Sequence, residues 1–120
     1  MVRALFDTNI LIDYLNGVDG AKEELTRHEA PAISVVGWIE VMAGAGPEVE
    51  AATRAFLDRF ERIPVDEAIA ERAVAIRRKR RLKLPDAIVW ASALCRSMLL
   101  VTRDTKAFPA EEPSIRVPYP

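Results

Sequence analysis

Short apolar runs alternate along this chain with stretches in which hydrophobic residues recur every three or four positions, a pattern of strands feeding helices. Val2 to Phe6, interrupted only by Arg3, reads as a largely buried strand. It stops at Asp7-Thr8-Asn9, small polar residues of the kind that cap helices. Ile10, Leu11, Tyr14 and Leu15 then share a helical face, and Gly17 supplies a stop. Asp19 can cap a mostly polar helix running to about Glu29, where Ala30-Pro31 breaks it. Ala32 to Val36 reads as a second strand, and Ser34 as the cap of a helix through Trp38 and Met42 that Gly44 ends. Gly46-Pro47 opens a further helix, with Val49, Ala52, Ala55, Phe56 and Phe60 as its buried face. Arg62 to Val65 is a short strand that its proline assigns to an edge or a strand end.

Asp66 caps the longest helix, with Ala68, Ile69, Ala73 and Ile76 turned inward, and Pro85 fits the first turn of the last one. Met98 to Val101 is the strongest strand signal, ending in Thr102-Arg103-Asp104. Phe108 packs down beyond it, and Ile115 to Val117 adds an edge strand among prolines. Strands alternating with helices imply right-handed crossovers. The expected architecture is α/β: a three-layer α/β/α sandwich with a mostly parallel central sheet, in one domain over residues 1–120.

Composition narrows the chemistry. The chain has 120 residues, half of them hydrophobic and 29 % charged, with a formal net charge of -1, as expected of a soluble globular protein. No apolar run approaches the roughly 18 residues that span a bilayer. The N-terminus enters a strand without a basic-then-apolar leader, so the expectation is a cytoplasmic protein with no membrane partner. Cys95 and His28 are each the only residue of their type, which excludes a thiolate zinc site and paired-histidine mechanisms. Nucleophile-elbow, P-loop and dinucleotide-fingerprint motifs are absent. Carboxylates remain.

Four of them stand out. Asp7 and Asp104 each follow an apolar strand, and the carboxyl ends of parallel strands border the crevice where ligands bind. Asp7 has an equally simple reading as a helix cap. Glu40 has Val36, Gly37, Ala43 and Gly44 as its helical neighbours; a carboxylate buried on so small and apolar a face needs a partner, a cation or an arginine. Asp86 lies in a first helical turn, favoured there by the helix dipole, with Val89 and Trp90 on its side of the helix. Like charges meet only where a cation or proton intervenes. Mg²⁺ and Mn²⁺ favour such hard oxygen ligands, and a metal so held activates water and neutralises charge on phosphate oxygens. The chemistry implied is metal-assisted phosphodiester hydrolysis.

Asp7-Thr8-Asn9 after a strand, Ser34 leading to Glu40 and a glycine, Leu84-Pro85-Asp86-Ala87 opening a helix, and Leu100-Val101-Thr102-Arg103-Asp104 followed by Phe108 resemble a PIN domain. More narrowly they resemble the VapC-type toxins of type II toxin–antitoxin systems. The resemblance covers nearly the whole chain and implies a PIN-like fold and a Mg²⁺- or Mn²⁺-dependent endoribonuclease. It also implies a homodimer that a cognate antitoxin silences. Asp7, Glu40, Asp86 and Asp104 match the family's acidic quartet, and Asn9 and Thr102 match polar positions that support it. Ala107 stands where some members carry a further acid, and Asp104 where others carry Asn.

Six of the seven residues from Arg77 to Lys83 are basic (Arg77, Arg78, Lys79, Arg80, Arg81 and Lys83), which leaves the rest of the chain net acidic. Such a run attracts an RNA backbone, serves as a solvated helix end, or docks an acidic antitoxin segment. Arg103 either touches phosphate or pairs with one of the acids. Asp13, off the apolar stripe of its helix, reads as surface charge, and Trp38 and Trp90 as core or dimer interface. A haloacid-dehalogenase-like phosphatase also begins with a strand and an Asp, but needs a second acid where this chain has Asn9. A catalytically inactive RNA- or protein-binding module and a DNA-directed nuclease of the same fold are the remaining alternatives.

Overall fold

Every strand is three residues long or shorter, so one or two positions settle which side of the sheet each helix covers. The computed structural model describes residues 2–120. Strand β1 (Ala4–Phe6) leads into α1 (Thr8–Leu15) and α2 (Asp19–Thr26), and β2 (Ala32–Ser34) into α3 (Val35–Gly44) and α4 (Glu50–Leu57). Next, β3 (Glu61–Ile63) precedes α5 (Glu67–Arg80) and α6 (Leu84–Cys95), and β4 (Leu99–Val101) precedes β5 (Ile115–Arg116). The strands lie in the order β3-β2-β1-β4-β5, all parallel where a mostly parallel sheet was expected.

Leu5 is in register with Ala32 and Leu100, and Leu100 with Ile115, so these four point to one side. There they pack with Ile69 and Ala73 of α5, Trp90 of α6, and Phe108. Ala4, Phe6, Ile33 and Val101 point the other way, onto Ile10, Leu11, Leu25, Phe56 and Leu57 from α1, α2 and α4. Two apolar layers thus clamp the sheet, each fully buried Leu, Ile or Phe contributing about 1.5–3 kcal/mol.

Capping follows the sequence at α1, α3, α5 and α6 and departs from it at two helices: Asp19 lies in the first turn of α2 behind Val18, and α4 starts only at Glu50, after Gly46-Pro47. The side chains of Asp7, Ser34 and Asp66 accept from backbone N–H groups at the starts of α1, α3 and α5, Pro85 sits in the first turn of α6, and Gly17 takes φ +82°, a conformation costly for other residues. Ser34 caps its helix so closely that Val35 and Val36 belong to α3 and not to β2. The expected buried face of α4 was wrong in part. Val49, Ala52 and Ala55 are exposed, whereas Thr53, Phe56, Leu57 and Phe60 are buried. Both sets have helical spacing; the bulkier one wins the core because it removes more apolar surface from water. Ala68 is exposed for the same reason, beside the larger buried Ile69.

The order of strands decides where chemistry can occur. The chain steps outward from β1 to β2 and β3, then returns to the opposite flank of β1 with β4. Between β1 and β4 the direction reverses, which opens a crevice at their carboxyl ends. Asp7 leaves β1 at that point, and Thr102 to Asp104 leave β4.

Candidate metal centre

Asp7 is both a helix cap and something more. Its backbone N–H donates to the Val101 carbonyl (2.9 Å), continuing the ladder to β4. Its Oδ1 accepts from the Thr8 N–H (2.8 Å), and its Oδ2 from the Thr102 hydroxyl (2.8 Å) and the Asn9 amide (3.2 Å). The Asn9 amide also reaches Thr102 Oγ1 (3.2 Å), and Asn9 Oδ1 accepts from the Arg103 N–H (3.2 Å). Thr102, wholly buried, takes a further bond from the Asp104 N–H (3.0 Å). Asn9 and Thr102 therefore hold the Asp7 carboxylate in place.

All of these donors are neutral. Asp7 is only 7 % exposed, and burial pushes its carboxyl up to about 6, against the lowering effect of the Thr102 and Thr8 hydrogen bonds. The negative charges of Asp86 and Glu40 raise it further. Asp86 is raised too, first by its own burial, then by Asp104 and Glu40, while Lys83 pulls it down. Asp86 thus links the set: it and Glu40 act on Asp7, and Asp104 and Glu40 act on it. None of them forms an ion pair among the described residues.

Their individual settings differ. Asp104 Oδ1 accepts from the Lys106 and Ala107 N–H groups (3.2 and 3.1 Å), closing a turn and leaving Oδ2 free of hydrogen bonds among the described residues. Glu40 is exposed rather than buried on an apolar face, because Ile39 and Glu40 fall on the outer side of α3. Its partner is the Thr8 hydroxyl, which donates to Oε1 at 2.7 Å, and not an arginine. Gly37, one turn earlier, is buried against Thr8 Oγ1.

As the side chains stand, no three His, Cys, Asp or Glu residues among those described are gathered closely enough to hold a metal ion. The donor set nonetheless fits a hard divalent cation. It is all oxygen and none of its members is ion-paired among the described residues, Lys83 acting on Asp86 without a salt bridge, and such ions accept a few carboxylates with water completing the shell.

The basic run divides. Arg80 donates to Glu112 (2.6 Å) and lies over the Trp90 ring at 4.8 Å, so it belongs to the core margin. Arg77, Arg78, Lys79 and Arg81 are exposed, and Lys83 acts on Asp86. Arg103 is held by Asp13, with Nε to Oδ2 at 2.6 Å and a second bond to Oδ1 at 3.0 Å. The surface reading of Asp13 is thereby corrected. Its partners, Arg103 and Tyr119, lie 90 and 106 residues away and left no local sign. A second pairing went unseen in the sequence. Glu24 of α2, 2 % exposed, receives a fork from Arg116 of β5 (2.6 and 2.8 Å) and a contact from His28 (3.0 Å). The spacing of Glu24 and His28 on one helix face was the only hint.

The PIN domain family matches residues 4–110. A chain of a toxin–antitoxin complex from Klebsiella pneumoniae is 47 % identical and superposes with a TM-score of 0.91, covering 97 % of this chain and 98 % of that one. Chains of FitAcB from Neisseria gonorrhoeae (21 % identity, TM-score 0.80, coverage 96 % and 97 %) and of DNA-bound VapBC from Salmonella typhimurium (22 %, 0.77, 97 % and 96 %) share the fold. No curated protein matches the chain.

Proposed function

This chain belongs to the PIN-domain family, and we propose that within it the protein is a Mg²⁺- or Mn²⁺-dependent endoribonuclease, the toxin of a toxin–antitoxin pair. One observation carries the reading. Asp7 is buried, surrounded only by neutral donors, and set beside two further acids, so its site carries more negative charge than the protein itself neutralises. A structural carboxylate would have been given an arginine, as Glu24 has.

In this proposal Asp7, Glu40, Asp86 and Asp104 hold the ion. When bound, it activates water and offsets charge developing on the phosphate. The remaining work falls to the chain. Thr102 and Asn9 fix the Asp7 carboxylate, and Thr8 aligns Glu40. The α5–α6 turn brings Lys83 to Asp86, and the exposed Arg77, Arg78, Lys79 and Arg81 draw in the RNA backbone by their uncompensated charge. The toxin–antitoxin neighbours support an antitoxin partner, and the exposed Ile39, Val74 and Leu84 support a homodimer. No helix among the described residues is long and apolar enough to cross a membrane; cytoplasmic RNA is the proposed target.

The test is a cleavage assay on total cellular RNA, with the ends mapped, for the wild type with and without EDTA and for Asp7→Asn and Asp86→Asn. Cleavage that needs the metal and vanishes in both folded variants is the expected result. Retained cleavage by the double variant refutes it. Calorimetric titration with Mn²⁺ separates the enzyme from an inactive binding module, which would show no binding.

A further inference from the structure

We propose that Tyr119 and Asp13 form a brace that positions the Thr102–Asp104 turn and, through it, the carboxylates of Asp7 and Asp104. Tyr119 and Asp13 are positioning residues; neither touches the reacting atoms. The inference rests on the reading above, that these carboxylates form the metal site.

The brace is a continuous chain of short contacts. The Tyr119 hydroxyl donates to Asp13 Oδ2 at 2.8 Å, and the same oxygen receives Arg103 Nε at 2.6 Å. A second bond from Arg103 to Asp13 Oδ1 (3.0 Å) makes a planar fork, which fixes direction as well as distance. From Arg103 the constraint passes into its own backbone. The Arg103 N–H bonds Asn9 Oδ1, which turns the Asn9 amide toward Asp7 Oδ2 and Thr102 Oγ1. On the other side, the Asp104 N–H bonds Thr102 Oγ1, the oxygen whose proton goes to Asp7. One side chain anchored outside the crevice thereby sets both acids within it.

Three features show a built arrangement and not a chance surface pair. Asp13 has only 14 % of its side chain exposed, unusual for a group off the apolar face of its helix. The ring of Tyr119 lies so close over Gly20 that a Cβ there would come within 2.9 Å of it, so the absence of a side chain at that position makes room for the tyrosine. Burial and its bond to Asp13 push the Tyr119 hydroxyl up to about 12, so it keeps its proton and remains a donor throughout the working pH range. Arg103, committed in this way, is also withdrawn from the set of arginines that could meet RNA phosphate.

The experiment uses the full chain and two variants, Tyr119→Phe and Asp13→Asn. Tyr119→Phe keeps the ring over Gly20 and removes only the hydroxyl. Expected for both are a kcat lowered about tenfold, at the low end for groups that orient metal ligands, an unchanged KM for RNA, and weaker Mn²⁺ binding by calorimetry. Backbone amide exchange should quicken at Arg103, Asp104, Lys106 and Ala107 while the strands keep their protection. Wild-type exchange at those four amides, with unaltered Mn²⁺ affinity, overturns the brace. So does quickened exchange across the whole molecule, which marks a merely structural role. A wild-type protein that neither binds Mn²⁺ nor cuts RNA fails the nuclease reading instead, and the exchange measurement still decides the brace.

Discussion

Asp7 and Glu24 are both more than nine-tenths buried, and the protein treats them in opposite ways. Glu24 is met by the Arg116 guanidinium and by His28, and these hold its carboxyl below the usual range. Asp7 receives three hydrogen bonds from neutral groups and no cation, and burial holds it well above that range. The first is a tie between α2 and the edge strand β5, complete within the chain. The second is left with surplus charge, where a group that must bind something from outside has to be. Desolvation is common to both; the supply of counter-charge separates structure from function.

Breaking each site should therefore give contrary results. The largest effect is on activity. Asp7→Asn is expected to bring RNA cleavage down to the level seen in EDTA, whereas Arg116→Met, far from the acids in function, should leave the rate per folded molecule intact. On stability the order inverts. Arg116→Met leaves the buried Glu24 carboxylate with only His28 and the outlying Arg27 and should cost about 2–3 kcal/mol, read by urea denaturation at pH 7.

Titration sharpens the contrast. Asp7 binds its proton more tightly in the folded chain, near pH 6, than at its ordinary value of 3.8. Stability of the metal-free protein should accordingly fall as pH rises from about 4 to about 6, by about 3 kcal/mol, and level off above. Subtracting the same series for Asp7→Asn isolates this slope. Glu24, held low, works the other way: its contribution is present above its ordinary value of 4.5 and is lost as pH falls through its depressed folded value. Arg116→Met should remove that acid-side loss and, with the guanidinium gone and burial left, push the Glu24 carboxyl upward, so that this variant loses further stability as pH rises above 4.5.

Mn²⁺ should stabilise the wild type by about 2.7 kcal/mol at a hundred times its dissociation constant, and Asp7→Asn should abolish the shift in thermal unfolding while Arg116→Met retains it. The smallest change is Thr102→Val, which deletes the hydroxyl that donates to Asp7 and accepts from the Asn9 amide and the Asp104 N–H. It should cost about 2 kcal/mol at pH 7 and move the Asp7 titration still higher, measurable by carboxyl NMR.

Much of this protein is written locally. The caps at Asp7, Ser34 and Asp66, the proline opening α6 and the glycine after α1 act within one helical turn, so reading neighbouring residues suffices. The strand ends that carry Asp7 and Asp104 were legible for the same reason, as were the motifs of a PIN domain, which the match over residues 4–110 bears out. Where two helical stripes competed, as in α4, spacing alone chose partly wrong, since bulk against the sheet decides.

What only the folded chain decided is pairing at a distance. That β4 returns to the far side of β1, and so sets Thr102 against Asp7, depends on the strand order and on no local signal. Arg116 reaches Glu24 across 92 residues, and Arg103 reaches Asp13 across 90. Caps and periodicity draw on energies between near neighbours. A charge finds its counterpart only once the crossovers have closed and water has been excluded around both.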